Sequence, residues 1–428
     1  MLDLKLIRDA EAEVRAALAR RGVPADLDAV LGTDQRRRRL VTEVETLKRQ
    51  RNAASEEIGK LKKSGEDTAA KQAAVKALGG QIAALDEELQ RADQELQALL
   101  LTIPNLPHKS VSDGKGAKDN LIVRSYGQTR RFGFKPKTHL ELVERLGILD
   151  FERAARLAGA GFPLFVGLGA ALERALIQFM LDLHVKQHGY TEVSPPFVVN
   201  SAAMTGTGQL PKMAADMYYL AGDDLYLIPT AEVPVTNIYR EEIIQRPLPI
   251  YLTAYSPCFR REAGAAGRET RGLIRVHQFD KVELVKFVEP ETSYAELESL
   301  VANAEDVLQR LGLTYRVLAL CAADLSFAAA KCYDIELWAP GQEAWLEVSS
   351  CSNFESFQAR RAGIRYRTKA GKVDYVHTLN GSGVALARLM VAILENGQTA
   401  DGAVELPEAL APYLGGVRRL QPDQNAKL

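Results

Sequence analysis

Apolar positions recur along this chain in two distinct rhythms. Between residues 40 and 103 they follow an alternating four-three spacing. One series runs Leu40, Val44, Leu47, Arg51, Ala54, Ile58 and Leu61. A second runs Val75, Leu78, Ile82, Leu85, Leu89, Ala92, Leu96, Leu99 and Ile103. A mean spacing of about 3.5 residues keeps one stripe facing a partner helix, as in a coiled coil. The polar run Lys63-Ser64-Gly65-Glu66-Asp67 separates the two series, and its glycine breaks the helix. Pro104 and Pro107 stop the second series. The pattern predicts an antiparallel hairpin over about 34–100. Each helix would have about 30 residues and be roughly 45 Å long. One stripe per helix buries little, so the hairpin should project as an arm.

From about residue 111 the rhythm changes. Residues 104–165, mixed in polarity and rich in Pro and Gly, read as a linker and a cap. Gly169 to Gly189 read as an amphipathic helix, with Leu172, Leu176, Phe179 and Leu183 on one stripe. A short strand, Tyr190 to Val193, follows and is stopped by Pro195-Pro196. Residues 251–288 read as a β-hairpin. One arm ends at Cys258-Phe259-Arg260, and the other runs from Leu273 to Phe287. The connection Ala263–Gly272 carries Gly264, Gly267, Gly272, Arg268 and Arg271. It is too long for a tight turn and predicts a mobile loop. A further strand is expected at Trp345–Cys351. Thr378–Gly383 reads as a turn before a helix from Val384 to Glu395. Hairpin-linked strands with interspersed helices predict an α+β fold on an antiparallel sheet, with domains at 1–110 and 111–428.

With 428 residues, 46% hydrophobic and 25% charged, the chain can bury a large core in two or three domains. A net charge of −1 gives no global attraction to nucleic acid. The charge is uneven, however. Residues 33–63 hold ten Lys or Arg against five acids, leaving +5 on the first helix. A solvated helix face is one reading of this. The other is a phosphate-contacting arm, with Arg36, Arg37, Arg38, Lys48, Arg49, Arg51, Lys60, Lys62 and Lys63 as its contacts and a steep salt dependence as its signature. Cys258, Cys321, Cys332 and Cys351 form no CxxC pair and fit neither a zinc ribbon nor a disulfide framework. Buried, reduced thiols in a cytoplasmic protein are expected. The N-terminus does not read as a signal peptide, and no stretch reaches the ~18 apolar residues of a membrane span. Gly381-x-Gly383 lacks both the third glycine of a dinucleotide fingerprint and the lysine of a P-loop.

Several stretches together resemble class II aminoacyl-tRNA synthetases. His188-Gly189-Tyr190 through Pro196 looks like motif 1 (about 170–198). Phe259-Arg260-Arg261-Glu262 with the Gly/Arg loop looks like motif 2 (about 255–288). Asn380-Gly381-Ser382-Gly383 with Arg388 looks like motif 3 (about 378–396). Thr230-Ala231-Glu232, the run from Arg271 through His277 to Glu283, and Glu347 to Phe354 with Gln358 to Arg361 resemble the seryl members. So does the arm ending in Pro104-Asn105-Leu106-Pro107. The resemblance spans nearly the whole chain. It implies a homodimer that activates L-serine with ATP and Mg²⁺ and loads it onto tRNA(Ser), and onto tRNA(Sec) where that exists. About 30 residues follow the last expected helix, too few for an anticodon-binding domain.

Serine activation brings a carboxylate onto the α-phosphate, so fixed positive charge matters more than a proton-transfer base. By resemblance, Arg260 bridges the serine carboxylate and the α-phosphate, and Arg271 and Arg388 take the β- and γ-phosphates. Glu262 accepts from the adenine amino group and Phe279 stacks on the ring. Arg261, Val276, Val348 and Ser349 also contact ATP. Glu347 and Ser350 supply oxygens for Mg²⁺. Thr230, Ala231, Glu232, Glu283, Asn380 and Ser382 surround the serine. Two stretches depart from the family pattern. Gly159-Ala160-Gly161-Phe162 stands where Gly-Ser-Arg-Phe is usual, and Ala322-Ala323-Asp324-Leu325-Ser326 where Thr-Gly-Asp-Leu-Gly is usual. If the second loop needs left-handed angles, Ala323 or Ser326 would strain it by ~1 kcal/mol. A specialised paralogue, either inhibitor-tolerant or serving another acceptor, is the competing reading.

Overall fold

The computed structural model describes residues 1–263 and 272–422. It divides into two compact units, Met1–Ala19 with Val23–Pro104 and Arg20–Gly22 with Asn105–Leu428. No helix among the described residues is long and apolar enough to cross a membrane.

The first unit is dominated by α1 (Leu27–Ser64) and α2 (Ala69–Thr102), both longer than the apolar spacing suggested. The Asp26 carboxylate caps α1 by accepting from the Ala29 N–H, and Gly65 ends it with φ +76°. The two stripes meet: Leu40, Val44 and Ile58 are buried on α1, and Ile82, Ala92 and Leu96 on α2, while near the end of α2 Leu100 takes the buried position expected of Leu99. Many of the basic residues are spent within the hairpin. Arg36 pairs with Glu95, Arg37 with Asp93, Arg38 with Asp34 (3.1 Å) and Lys48 with Asp86 (3.1 Å). Arg49 Nε donates to the Glu45 carbonyl (3.4 Å). Near the tip, Lys60, Lys62 and Lys63 are exposed and form no salt bridge among the described residues.

The second unit is built on an eight-stranded sheet. Its strands are β1 (Leu121–Tyr126), β2 (Thr191–Glu192), β3 (Ile250–Phe259), β4 (Gln278–Val288), β5 (Tyr315–Ala319), β6 (Lys331–Ala339), β7 (Ala344–Asn353) and β8 (His377–Ala385). The order is β1-β5-β6-β7-β8-β4-β3-β2, and every pair is antiparallel except β2 with β3. Three long helices pack on it: α4 (Leu168–Lys186), α5 (Ser293–Arg310) and α6 (Leu386–Gly397). The stripe Leu172, Leu176, Phe179 and Leu183 on α4 is buried in this core. Residues 104–165 are more than a linker, since they supply β1 and α3 (His139–Leu146). β1 is an edge strand exposed at every position, so it lacks the alternation that marks a half-buried strand.

Thr378–Gly383 is not a turn. It lies inside β8, hydrogen-bonded between β7 and β4. Its glycines serve close approach. A Cβ on Gly381 would stand 2.8 Å from Cys351 Sγ, and one on Gly383 would stand 2.5 Å from His184 Nε2. Nor does the loop at 322–326 carry strain. The non-glycine residues with positive φ are Asp224, Glu241, Glu262, Glu343 and Glu355, and neither Ala323 nor Ser326 is among them. All four cysteines are free and buried.

Gly383→Ala should lower stability by roughly 1–3 kcal/mol through overpacking against His184. The check is a drop in the urea midpoint at unchanged slope. An unchanged midpoint would mean that the strand yields to the extra methyl without cost.

Candidate active site

Strand alternation sets the floor of the site. On β4, Phe279, Lys281 and Glu283 fall at every second position and share one face. On β8, Asn380 and Ser382 do the same. Above them opens a cavity of about 650 Å³. Of the residues expected at the site, Thr230, Glu232, Arg260, Glu262, Val276 and Phe279 line it. Glu347, Val348, Ser349, Ser350, Asn380, Ser382 and Arg388 line it too.

One end is rich in guanidinium groups. Arg260 follows directly on β3, and its backbone N–H donates to the His277 carbonyl (2.9 Å), closing the hairpin neck. Its guanidinium lies 5.3 Å from the Phe279 ring centroid, and its Nε donates to the Pro229 carbonyl (3.3 Å). Glu262 holds an uncommon φ of +49°, and its carboxylate pairs with Arg275. Arg388, in the first turn of α6, donates from Nε to the Ile274 carbonyl (3.0 Å) and from Nη1 to the Glu347 carbonyl (2.8 Å). The Glu347 carboxylate is 3.8 Å from the same Nη1.

Glu347 and Ser350, both on β7, line the cavity. Ser350 Oγ lies 3.1 Å from Cys332 Sγ. Asp334 stands opposite Ser350 across the strand pair. Burial, and then the nearby Glu347 charge, push its carboxyl well above the usual range. A carboxylate and a hydroxyl at the cavity wall are hard oxygen donors of the kind that suit Mg²⁺, which keeps most of its shell as water and phosphate.

The other end carries paired carboxylates. Glu283, fully buried, accepts from Thr230 Oγ1 (3.1 Å) and Asn380 Nδ2 (2.8 Å) and pairs with Lys281. Lys281 Nζ also donates to Thr230 Oγ1 (2.7 Å). Glu232 Oε1 accepts from Gln358 Nε2 (2.6 Å). Thr378 Oγ1 in turn donates to Gln358 Oε1 (2.8 Å) and fixes that amide. Burial, and then repulsion from Glu283, push the Glu232 carboxyl up to about 7.

Four expectations need correction or lie out of view. Ala231 is fully buried in an apolar cluster and does not line the cavity. A methyl side chain beside Val235 and Ile250 gains more from the core than from a polar pocket. Arg261 is exposed and does not line the cavity, and its backbone N–H donates to the Asp216 carbonyl (2.9 Å). Glu283 sits beneath the cavity wall, closed off by its own partners. Arg271 and the loop expected to be mobile lie outside the described residues. Lys281, Arg275 and Gln358 were missed. The alternation that places Phe279 and Glu283 on one face already includes Lys281. Gln358, from a short helix, Phe357–Ala362, belongs to a stretch that carries the resemblance, but no local pattern pairs it with Glu232.

A family model of the class II tRNA synthetase core domain (G, H, P, S and T) matches residues 219–397, and one of the seryl-tRNA synthetase N-terminal domain matches residues 1–107. The chain is 58% identical over 421 residues to a serine–tRNA ligase of Pelotomaculum thermopropionicum, covering 98% of this chain and 100% of that one. Among solved structures it is similar to seryl-tRNA synthetase from Pyrococcus horikoshii complexed with ATP, with a TM-score of 0.93, 38% identity, and coverage of 99% and 100%. It is also similar to the cytoplasmic serine–tRNA ligase of Naegleria fowleri in complex with AMP, with a TM-score of 0.88, 28% identity, and 99% of each chain covered.

The raised Glu232 pKa has a stability consequence. A carboxyl whose pKa rises on folding adds stability while protonated. That contribution is complete below the ordinary value of about 4.5 and is lost as pH climbs through about 7. Glu232→Gln keeps the neutral form at all pH. It should therefore gain roughly 2–3 kcal/mol over the unaltered protein between pH 5 and pH 8 in paired denaturant melts. A difference that stays flat with pH would contradict this.

Proposed function

Because the chain belongs to the seryl-tRNA synthetase family, we propose that the cavity holds ATP at its guanidinium end and serine at its carboxylate end. The reaction is that of a serine–tRNA ligase: L-serine is activated with ATP to seryl-adenylate, and the seryl group passes to the 3′ end of serine tRNA. One observation carries the residue assignment. Arg260, Glu347 and Arg388, from three separate segments, line one cavity.

Arg260 is the bridge between the serine carboxylate and the α-phosphate. Its planar fork suits both anions and offsets their mutual repulsion as they meet. Phe279, already beneath that guanidinium, supplies the stacking face for adenine, and Glu262 accepts from the adenine amino group. Arg388 meets the outer phosphates with one face while its other N–H groups stay tied to the Ile274 and Glu347 carbonyls. Arg275, paired with Glu262, joins the cationic side of the pocket. Glu347 and Ser350 would hold Mg²⁺, which when bound neutralises phosphate charge and orients the phosphates for in-line attack.

At the other end Glu232 and Thr230 receive the serine ammonium, while Glu283, beneath them, holds Thr230 in place and is partly neutralised by Lys281. Ser382 and Asn380 face the hydroxyl. Alanine would leave those polar groups unpaired, a discrimination that reaches ~10⁴. Threonine is excluded by lack of room for its methyl.

The hairpin is the tRNA grip, and the exposed tip cations Lys60, Lys62 and Lys63 are its best phosphate contacts because no acid among the described residues pairs with them. Homodimerisation, cytoplasmic residence and charging of tRNA(Sec) complete the proposal. Similarity to serine–tRNA ligases over nearly the full length offers nothing in favour of a paralogue with another acceptor.

Serine-dependent ATP–pyrophosphate exchange tests the assignment. Arg260→Ala should lower exchange by roughly 10²–10³. Deleting residues 36–98 should spare exchange while tRNA charging collapses. Exchange without charging in the intact chain would point to another acceptor, and no exchange with any amino acid would end the reading.

A further inference from the structure

Helix α6 grips one segment of the cavity wall at two places. Directly, Arg388 Nε donates to the Ile274 carbonyl (3.0 Å). Two turns further on, Glu395 reaches the neighbouring residue through His139 at the start of α3. Glu395 Oε1 accepts the His139 backbone N–H (2.8 Å) and lies 3.2 Å from His139 Nδ1. A carboxylate only accepts, so Nδ1 carries the proton and Nε2 is left as an acceptor. Nε2 takes the Leu273 backbone N–H at 3.2 Å. His139, Leu273 and Glu395 all have 0% exposure, so water cannot stand in for any of these partners.

The anchoring carboxylate is itself held on its far side. Glu395 Oε2 accepts from the backbone N–H groups of Gly341 (2.8 Å) and Gln342 (3.2 Å) at the β6–β7 connection. The imidazole also presses on the chain. A Cβ on Gly272 would stand 2.2 Å from His139 Nε2, and Gly272 has φ +68°, so this position admits no side chain. Leu273, Ile274, Arg275 and Val276 then line the cavity in succession.

We propose that His139, fixed by Glu395, is a positioning residue for the nucleotide end of the cavity. By holding the Leu273 N–H it sets where Ile274, Arg275 and Val276 stand. It touches no substrate and acts only through this segment. Chain order separates the three members widely, at residues 139, 273 and 395, yet the fold makes them one relay from the motif 3 helix to the motif 2 return. The assignment rests on reading that end as the ATP site.

Two substitutions in the full chain separate anchoring from simple bulk. His139→Gln places an amide oxygen near the Nε2 position and keeps an acceptor for Leu273. His139→Asn reaches only as far as Nδ1 and does not. In ATP–pyrophosphate exchange, His139→Asn should raise the KM for ATP on the order of five- to tenfold. The KM for serine should stay within about twofold, and His139→Gln should recover most of the loss. Amide hydrogen exchange at Leu273 should quicken in His139→Asn and not in His139→Gln. Equal effects of the two substitutions would overturn the proposal. So would both KM values moving together with Tm, or quickened Leu273 exchange at an unchanged KM for ATP. A wild-type chain with no ATP-dependent exchange would instead defeat the reading of the site, while the Leu273 amide would still report on the anchor.

Discussion

The Arg388 guanidinium joins the three segments on which the site depends. It starts from the first turn of α6, ties to the Ile274 carbonyl, and ties again to the Glu347 carbonyl on β7. Two backbone carbonyls take its fixed donors, so the remaining face keeps a defined direction. That bridge gives the helix, the motif 2 return and β7 a common reference at the cavity. A charged donor in such a geometry makes hydrogen bonds roughly twice as strong as neutral ones. Its position further depends on β8 passing close to its neighbours, which only glycine at 381 and 383 allows.

Charge is sorted along the cavity. Arg260, Arg275 and Arg388 stand on the side that we propose for the phosphates, and Glu232 on the side that we propose for the ammonium. Both ends are partly neutralised in advance. Arg275 pairs with Glu262, and Lys281 pairs with Glu283. Buried charges left unpaired are costly, so such pairing lets the site stand without substrate. It also means that a ligand competes with partners already present. The raised Glu232 carboxyl reflects incomplete pairing, as its hydrogen bond from Gln358 does not balance burial and the Glu283 charge.

The hairpin solves a different problem. Its stripes bury only a narrow seam, and its basic helix would repel itself if left uncompensated. Acids on α2 meet Arg36, Arg37 and Lys48 and offset part of the charge of α1. The tip lysines remain exposed. A nearly neutral protein can thus offer a local cationic surface without an overall basic charge.

Local periodicity was enough to read the hairpin, the helix at 168–186, the β3–β4 pairing and the antiparallel α+β class, because periods of 3.5 and 2 are properties of consecutive residues. Motif order was enough to read most of the cavity lining, from Thr230 to Arg388. Tertiary structure alone decided the rest. It turned the Asn380-Gly381-Ser382-Gly383 turn into a central strand, since glycine permits close packing as readily as it permits turning, and only neighbours tell the two apart. It moved Ala231 into the core and brought Gln358 to Glu232. It also joined His139, Leu273 and Glu395. Those partners lie more than a hundred residues apart in sequence, so no local pattern can encode their contact; only the packing of α3 and α6 against the sheet brings them together.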